Sequence, residues 1–239
     1  MDGLGPTSGG EVAVAQYAGV MLALAPQLGA GPLRVLCVGA HCDDIDIGCG
    51  GTLLTLQRRK GDIRIDWAIL SGGAERRREA ARAMSLFVKP ANRGELLFGD
   101  FVDGRLPAQY LEVKNFFESL KRLPVPQLIL CHERDDRHQD HRIVNEMVWN
   151  TFRDHLVLEY EIPKWDGGLG NPNVYVAISR AHAQAKAKAL LKAYATQAQR
   201  DWFTAETFMA MLRMRGIECR SSSGYAEAFY GRKLQFITP

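Results

Sequence analysis

The sequence predicts an α/β fold: a Rossmann-like, mostly parallel sheet flanked by helices, with a mixed C-terminal extension. Three observations lead there. Short apolar runs of strand type alternate with helical patterns along the chain. The runs Val35–Val38 and Leu128–Cys131 are continuously apolar, as strands covered on both faces are. Each of these two runs stops at a dense cluster of His and Asp, and the carboxyl ends of strands are where open α/β sheets place ligands.

The elements follow in order. Residues 1–10 are Gly-rich, and Glu11–Leu28 carries apolar residues at helical spacing, a pattern suited to covering the sheet edge or to contacting a second subunit. The strand at Val35 leads through a polar turn and Gly48-Cys49-Gly50-Gly51 into a helix expected over Thr52–Arg59 and ended by Gly61. Ile63–Leu70 is a strand, Ala74–Phe87 a helix, Leu96–Phe98 a short strand and Leu111–Leu123 a helix. After Leu128–Cys131 a helix is expected from His141 to Arg153. Leu156–Tyr160 and Val174–Ile178 read as strands, Ala181–Tyr194 and Asp201–Arg215 as helices, and Ala226–Ile237 as a last strand. Gly216 reads as the cap that closes the second of those helices. The organisation is one structural unit: an N-terminal arm and helix (1–30), a Rossmann-like catalytic core (31–155) and an extension (156–239) that completes the pocket.

Composition narrows the function. At 239 residues with 46% hydrophobic content the chain can bury a full core. A net charge of +3 gives no argument for nucleic acid. No run of apolar residues is long enough to span a membrane, and Met1–Gly10 lacks the basic start of a signal peptide. The five cysteines include no CxxC pair and read as reduced thiols. A cytoplasmic protein is expected. The glycines Gly48, Gly50 and Gly51 lack the GxGxxG spacing, which argues against dinucleotide binding.

The chemistry lies in two stretches, Ala40-His41-Cys42-Asp43-Asp44 and Asp136-Arg137-His138-Gln139-Asp140-His141. A parallel sheet brings both to one edge. Imidazoles and carboxylates packed so tightly suit a divalent cation such as zinc, and three protein ligands with one open position make a hydrolytic centre. A further carboxylate beside the water would serve as base.

These stretches resemble the motifs of the PIG-L/LmbE-like zinc-dependent N-deacetylases. Ala40–Asp44 with Gly50-Gly51-Thr52 is similar to that family's AHPDD…GGT signature, and Asp136–Arg142 to its DxHxDHR motif. Arg76-x-x-Glu79-x-x-x-Ala83 resembles its RxxExxxA helix, and Asp103-Gly104-Arg105-Leu106 its DGRL loop. The resemblance covers residues 33–145. It implies zinc-dependent removal of an N-acetyl group from an N-acetylglucosamine-type sugar or conjugate. It further implies that His41, Asp44 and His141 hold Zn2+, that Asp43 is the general base, and that His138 steadies the oxyanion or protonates the departing amine. Asp140 would orient a neighbouring histidine, and Arg76 and Asp103 would meet sugar hydroxyls. Iron(II) could occupy the same ligands.

Two positions depart from the family pattern. Cys42 replaces a proline and Ile45 a glutamate, whose role Asp46 could take over. Cys42 is either a small packed side chain or a soft extra ligand. His132 either lines the pocket or caps its loop. The arginines at 76–78 are either a phosphate clamp or a solvated helix face. Trp165, in a loop with mobile glycines, is either a substrate lid or a packed turn residue. The expected partner is a small acetamido compound, with no nucleic acid or membrane and with a homo-oligomer left open. The competing functions are hydrolysis of a non-sugar N-acyl compound in natural-product metabolism, and a non-catalytic metal-binding module of the same fold.

Overall fold

The computed structural model describes residues 32–58 and 62–234. The arm and helix expected over residues 1–30, Gly61, and residues 235–237 of the last expected strand lie outside these residues, and that strand ends at Gly231. Seven strands form one sheet: β1 (Leu33–Gly39), β2 (Ile63–Ser71), β3 (Arg93–Phe101), β4 (Leu128–His132), β5 (Leu156–Tyr160), β6 (Val174–Ala177) and β7 (Ala226–Gly231). Their order is β3-β2-β1-β4-β5-β7-β6. The first five run parallel, and β7 is antiparallel to both β5 and β6. The chain leaves β1 towards β2 on one side and reaches β4 on the other, so a crevice opens between the carboxyl ends of β1 and β4.

Side-chain parity builds the two covering layers. Val35 and Cys37 of β1 face α1 (Asp44–Leu56), α2 (Ala74–Phe87) and α5 (Arg180–Ala193) in one apolar cluster. Leu36 and Val38 face α3 (Tyr110–Ser119) and α4 (Gln139–Thr151) in the other. A sixth helix, α6 (Ala205–Glu218), adds Phe208 to the first layer.

Several helix boundaries differ from expectation, with α4 starting at Gln139 and α6 at Ala205, and at two of them glycine packing gives the reason. Helix α1 starts at Asp44, not at Thr52, and its glycines lie within it. Glycine is a poor helix former, but close packing overrides propensity here. A Cβ at Gly48 would stand 2.2 Å from the Tyr160 ring, which is fully buried and anchored by its hydroxyl on the Val38 carbonyl. Likewise α6 passes through Gly216 rather than ending there, because Gly216 lies against the Gly224 carbonyl, 2.3 Å from the position of a Cβ.

A buried ion pair ties the C-terminal strands to α1. The Glu227 carboxylate accepts from the backbone N–H groups of Gly51 (2.7 Å) and Thr52 (2.6 Å) and from Lys186 Nζ (2.6 Å). Lys186 also donates to the Ile47 carbonyl. Both charges are therefore hydrogen-bonded beyond their mutual contact, the condition under which a buried pair is tolerated.

Gly48→Ala should destabilise the fold by about 1–3 kcal/mol through overpacking against Tyr160, seen as a melting temperature lower by roughly 2–10 °C. A pH dependence follows from Glu133, just beyond β4. Burial, then the neighbouring carboxylates Glu161 and Asp135, push its carboxyl up to about 7. The folded state thus holds this proton more tightly than the unfolded chain, so stability falls as pH rises from about 4.5 to 7. Thermal melts of Glu133→Gln should lie above wild type at about pH 8 and close to it at about pH 4.5.

Candidate metal centre

The turn after β1 and the start of α4 meet in the crevice. His41 Nδ1 lies 3.3 Å from Asp44 Oδ2 and 3.2 Å from His141 Nε2, and His141 Nε2 lies 3.5 Å from Asp44 Oδ1. Tetrahedral bonds of about 2.0–2.1 Å to one ion separate its ligands by about 3.3–3.4 Å. The three side chains expected to hold the metal thus gather at one point, with Asp44 Oδ2 towards His41 and Oδ1 towards His141. Among the described residues, overlapping groups extend the donor set: His41 with His138 and His141, Asp44 with His132 and His141, and His41 with Asp103 and Asp140.

Electrostatics suits a cation at this point. Burial disfavours charge on His41, yet Asp44, Asp103 and Asp140 together raise its pKa well above the ordinary value. The surroundings thus call for positive charge, from a proton or a metal. Burial raises the Asp44 carboxyl, but His141, His132 and His41 outweigh it and hold Asp44 well below the usual carboxylate range. His141 is pushed down to about 3, first by burial and then by His132, so its ring is neutral and Nε2 keeps a lone pair. Asp136 fixes that tautomer by accepting from His141 Nδ1 at 2.9 Å. Lys164 donates to the same Asp136 oxygen at 2.7 Å.

Asp43 is buried, and its Oδ1 pairs with Arg76 Nη2 at 2.7 Å. Burial exceeds the help from Arg76 and raises the Asp43 carboxyl. His138 is the N-cap of α4, where its Nδ1 accepts from the Asp140 N–H at 3.2 Å. A backbone N–H can only donate, so a neutral His138 carries its proton on Nε2. Burial and the nearby His41 lower its pKa, which favours this neutral form. Asp140 is fully buried. It accepts from the N–H groups of Gly104 (2.7 Å) and Leu106 (3.1 Å), and one oxygen stands 3.5 Å from His41 Nε2.

The expected substrate contacts fare differently. Asp103 lines the cleft with an exposed side chain, 3.0 Å from His41 Nε2. Trp165 stands at the cleft wall with 67% of its surface exposed. Arg76 also lines the cleft, but its guanidinium engages Asp43, Glu79 and Thr196 rather than standing free for hydroxyls. His132 is not a substrate contact. It is fully buried, stacked on His141 at 3.8 Å, with Nε2 accepting from the Ala40 N–H. Its parity on β4 matches Leu128 and Leu130, which face the α1 layer, and so directs it under the turn. Asp46 does not replace the missing glutamate: it is fully buried and hydrogen-bonded to the Tyr194 hydroxyl. Burial pushes the Cys42 thiol up to about 12, so it stands as a protonated packing group beside Ser71. The arginines at 77 and 78 form no joint clamp, since Arg77 pairs with Asp100 and Arg78 turns back to the Ala74 carbonyl.

Sequence reasoning left Asp136 without a role, although it begins the DxHxDH spacing. It also missed the far wall of the cleft. This 710 Å³ cavity is closed there by Gln197, Arg200 and Trp202, from a segment with no motif of its own, beside Lys164 of the loop that carries Trp165.

A family model described as PIG-L, GlcNAc-PI de-N-acetylase, matches residues 36–152. The Escherichia coli protein YaiS, described as an uncharacterized deacetylase, is 25% identical over 173 residues, which span 66% of this chain and 89% of that protein. Among solved structures, the N,N'-diacetylchitobiose deacetylase of Pyrococcus horikoshii superposes with a TM-score of 0.61 at 18% identity, covering 82% of each chain. GalB of Pseudomonas putida, the 4-carboxy-2-hydroxymuconate hydratase, gives 0.65 at 14% identity, covering 87% of this chain and 99% of that one. The structural likenesses establish a common fold.

Asp136→Asn should weaken zinc binding about 10–100-fold, because the ring of His141 loses the carboxylate that sets its tautomer. Competition against a coloured chelator reads this directly, and an unchanged affinity would remove Asp136 from that role.

Proposed function

Taking as premise that the chain belongs to the PIG-L family, we propose that it is a zinc-dependent amide hydrolase. Its substrate is an N-acetylglucosamine-type sugar or sugar conjugate, from which it removes the N-acetyl group. The observation that carries this reading is the gathering of His41, Asp44 and His141 at one point in the crevice, with the Asp43 carboxylate and the His138 imidazole beside it. A cation bound there would polarise the amide carbonyl and make water more acidic. The chain's own groups do the rest. Asp43 Oδ1 is held by Arg76, which leaves Oδ2 to take a proton from the attacking water. The raised pKa of Asp43 suits it to keep that proton and pass it to the departing amine nitrogen. His138, neutral with its proton on Nε2, donates a hydrogen bond to the oxygen that becomes negative. Water and amide give acetate and amine, with no other reactant.

This reading favours the oxyanion role for His138 over protonation of the amine, since its Nδ1 is committed as an acceptor. Asp140 backs His41 from the far side, and Asp103 faces the substrate. The enzyme is read as cytoplasmic, a location that its five free cysteines support. Among the described residues no helix is long and apolar enough to cross a membrane. The substrate is read as a small acetamido compound.

Asp43→Ala should lower acetate release by about two to four orders of magnitude, with zinc content by elemental analysis unchanged. Should zinc-loaded wild type release no acetate from any acetamido sugar, the sugar assignment falls and a non-sugar N-acyl substrate takes its place.

A further inference from the structure

Two arms of the C-terminal extension reach over the cleft, and each is tied to one half of the site. The loop between β5 and β6 is anchored by Lys164 on Asp136, which holds the ligand His141. The segment after α5 is anchored by Thr196 on Arg76, which holds Asp43. The arms meet in an aromatic corner. The rings of Trp165 and Trp202 lie 6.2 Å apart at 83°, and Trp165 Nε1 donates to Asp201 Oδ1 at 3.2 Å. The Arg200 guanidinium stands over the Trp165 ring at 5.9 Å.

Charge pairing singles out Arg200. The other cations of the cleft wall are matched: Arg76 with Asp43, Arg77 with Asp100, Lys164 with Asp136. Arg200 has no acidic partner among the described residues. Two indoles at a right angle offer a flat ring one face and one edge at once, the arrangement aromatic pairs prefer. The cavity, at 710 Å³, is larger than one monosaccharide needs and lies within the range of about 300–1,000 Å³ that holds drug-sized ligands.

We infer that Trp165, Trp202 and Arg200 form a second subsite, which binds an aromatic ring bearing a carboxylate on the far side of the acetamido sugar. The inference rests on the deacetylase reading for its substrate but not for its binding test. Trp165 and Trp202 select the ring and Arg200 selects its charge.

Acetate release would be compared for the methyl, phenyl and 4-carboxyphenyl glycosides of N-acetylglucosamine and for its disaccharide with glucose. Wild-type kcat/KM should rise about tenfold from methyl to phenyl and about fivefold more with the carboxylate. Trp165→Ala should erase the first step and Arg200→Gln only the second. Equal values for the methyl and phenyl compounds, a disaccharide as good as the phenyl glycoside, or variants that keep both steps would overturn the subsite. Binding is read separately by tryptophan fluorescence with 4-carboxyphenyl glucoside, which has no acetamide. Saturable quenching that Trp165→Phe reduces and Arg200→Gln weakens supports the subsite even where no acetate is released, an outcome that overturns only the deacetylase reading. Absence of saturable quenching overturns the subsite itself.

Discussion

A buried carboxylate surrounded by imidazoles organises this protein. Asp44 accepts from the His41 N–H at 2.6 Å and faces the rings of His41, His132 and His141, each within 3.5 Å. A carboxylate out of water needs compensating partners, and an imidazole pressed against others resists protonation. A divalent cation bound here would satisfy both. The turn after β1, the first residues of α1 and the start of α4 are all positioned by that cluster. His132 stacks beneath it and Asp136 fixes it from outside.

The sheet order makes the cluster possible. β1 and β4 are neighbours in space although about ninety residues separate them, and their carboxyl ends open on the same crevice. Helix α1 must then approach the sheet closely enough to present Asp44, and Gly48 allows that approach against Tyr160. The Glu227–Lys186 pair clamps the same helix from β7 and α5. The C-terminal strands thus extend the sheet and also hold the helix that carries Asp44.

The sequence was legible where function and order along the chain coincide. Strands β1, β2, β4 and β5 stood out as apolar runs, and His41, Asp44 and His141 follow two of them directly. The start of α1 was hidden because its glycines argue locally for a loop, whereas the packing that favours them involves Tyr160, more than a hundred residues away. His132 could have been placed by parity on β4, since it falls on the same face as Leu128 and Leu130. Nothing local marks Trp202 or Arg200: they reach the cleft only because α5 crosses the sheet and returns the chain to its rim. The engagement of Arg76 with Asp43 was equally invisible, as a helix motif does not reveal which acid its arginine meets.

Asp43 and Asp44 stand in opposite electrostatic surroundings within one dipeptide. Both carboxylates are buried, so desolvation raises both. Asp44 turns towards three imidazoles and is driven down into the ionised form, the form a metal ligand would need. Asp43 turns towards one guanidinium, which holds a single oxygen and does not offset burial, and it stays raised. Adjacent groups whose environments drive their pKa values apart are the mark of divided acid–base labour. The fold alone does not contain that division. It arises from side chains that α2 and α4 bring to the crevice: Arg76 against one carboxylate, His141 against the other. In the proposed roles the chemistry resides in what each carboxylate faces, three imidazoles for Asp44 and one guanidinium for Asp43, rather than in the aspartates themselves.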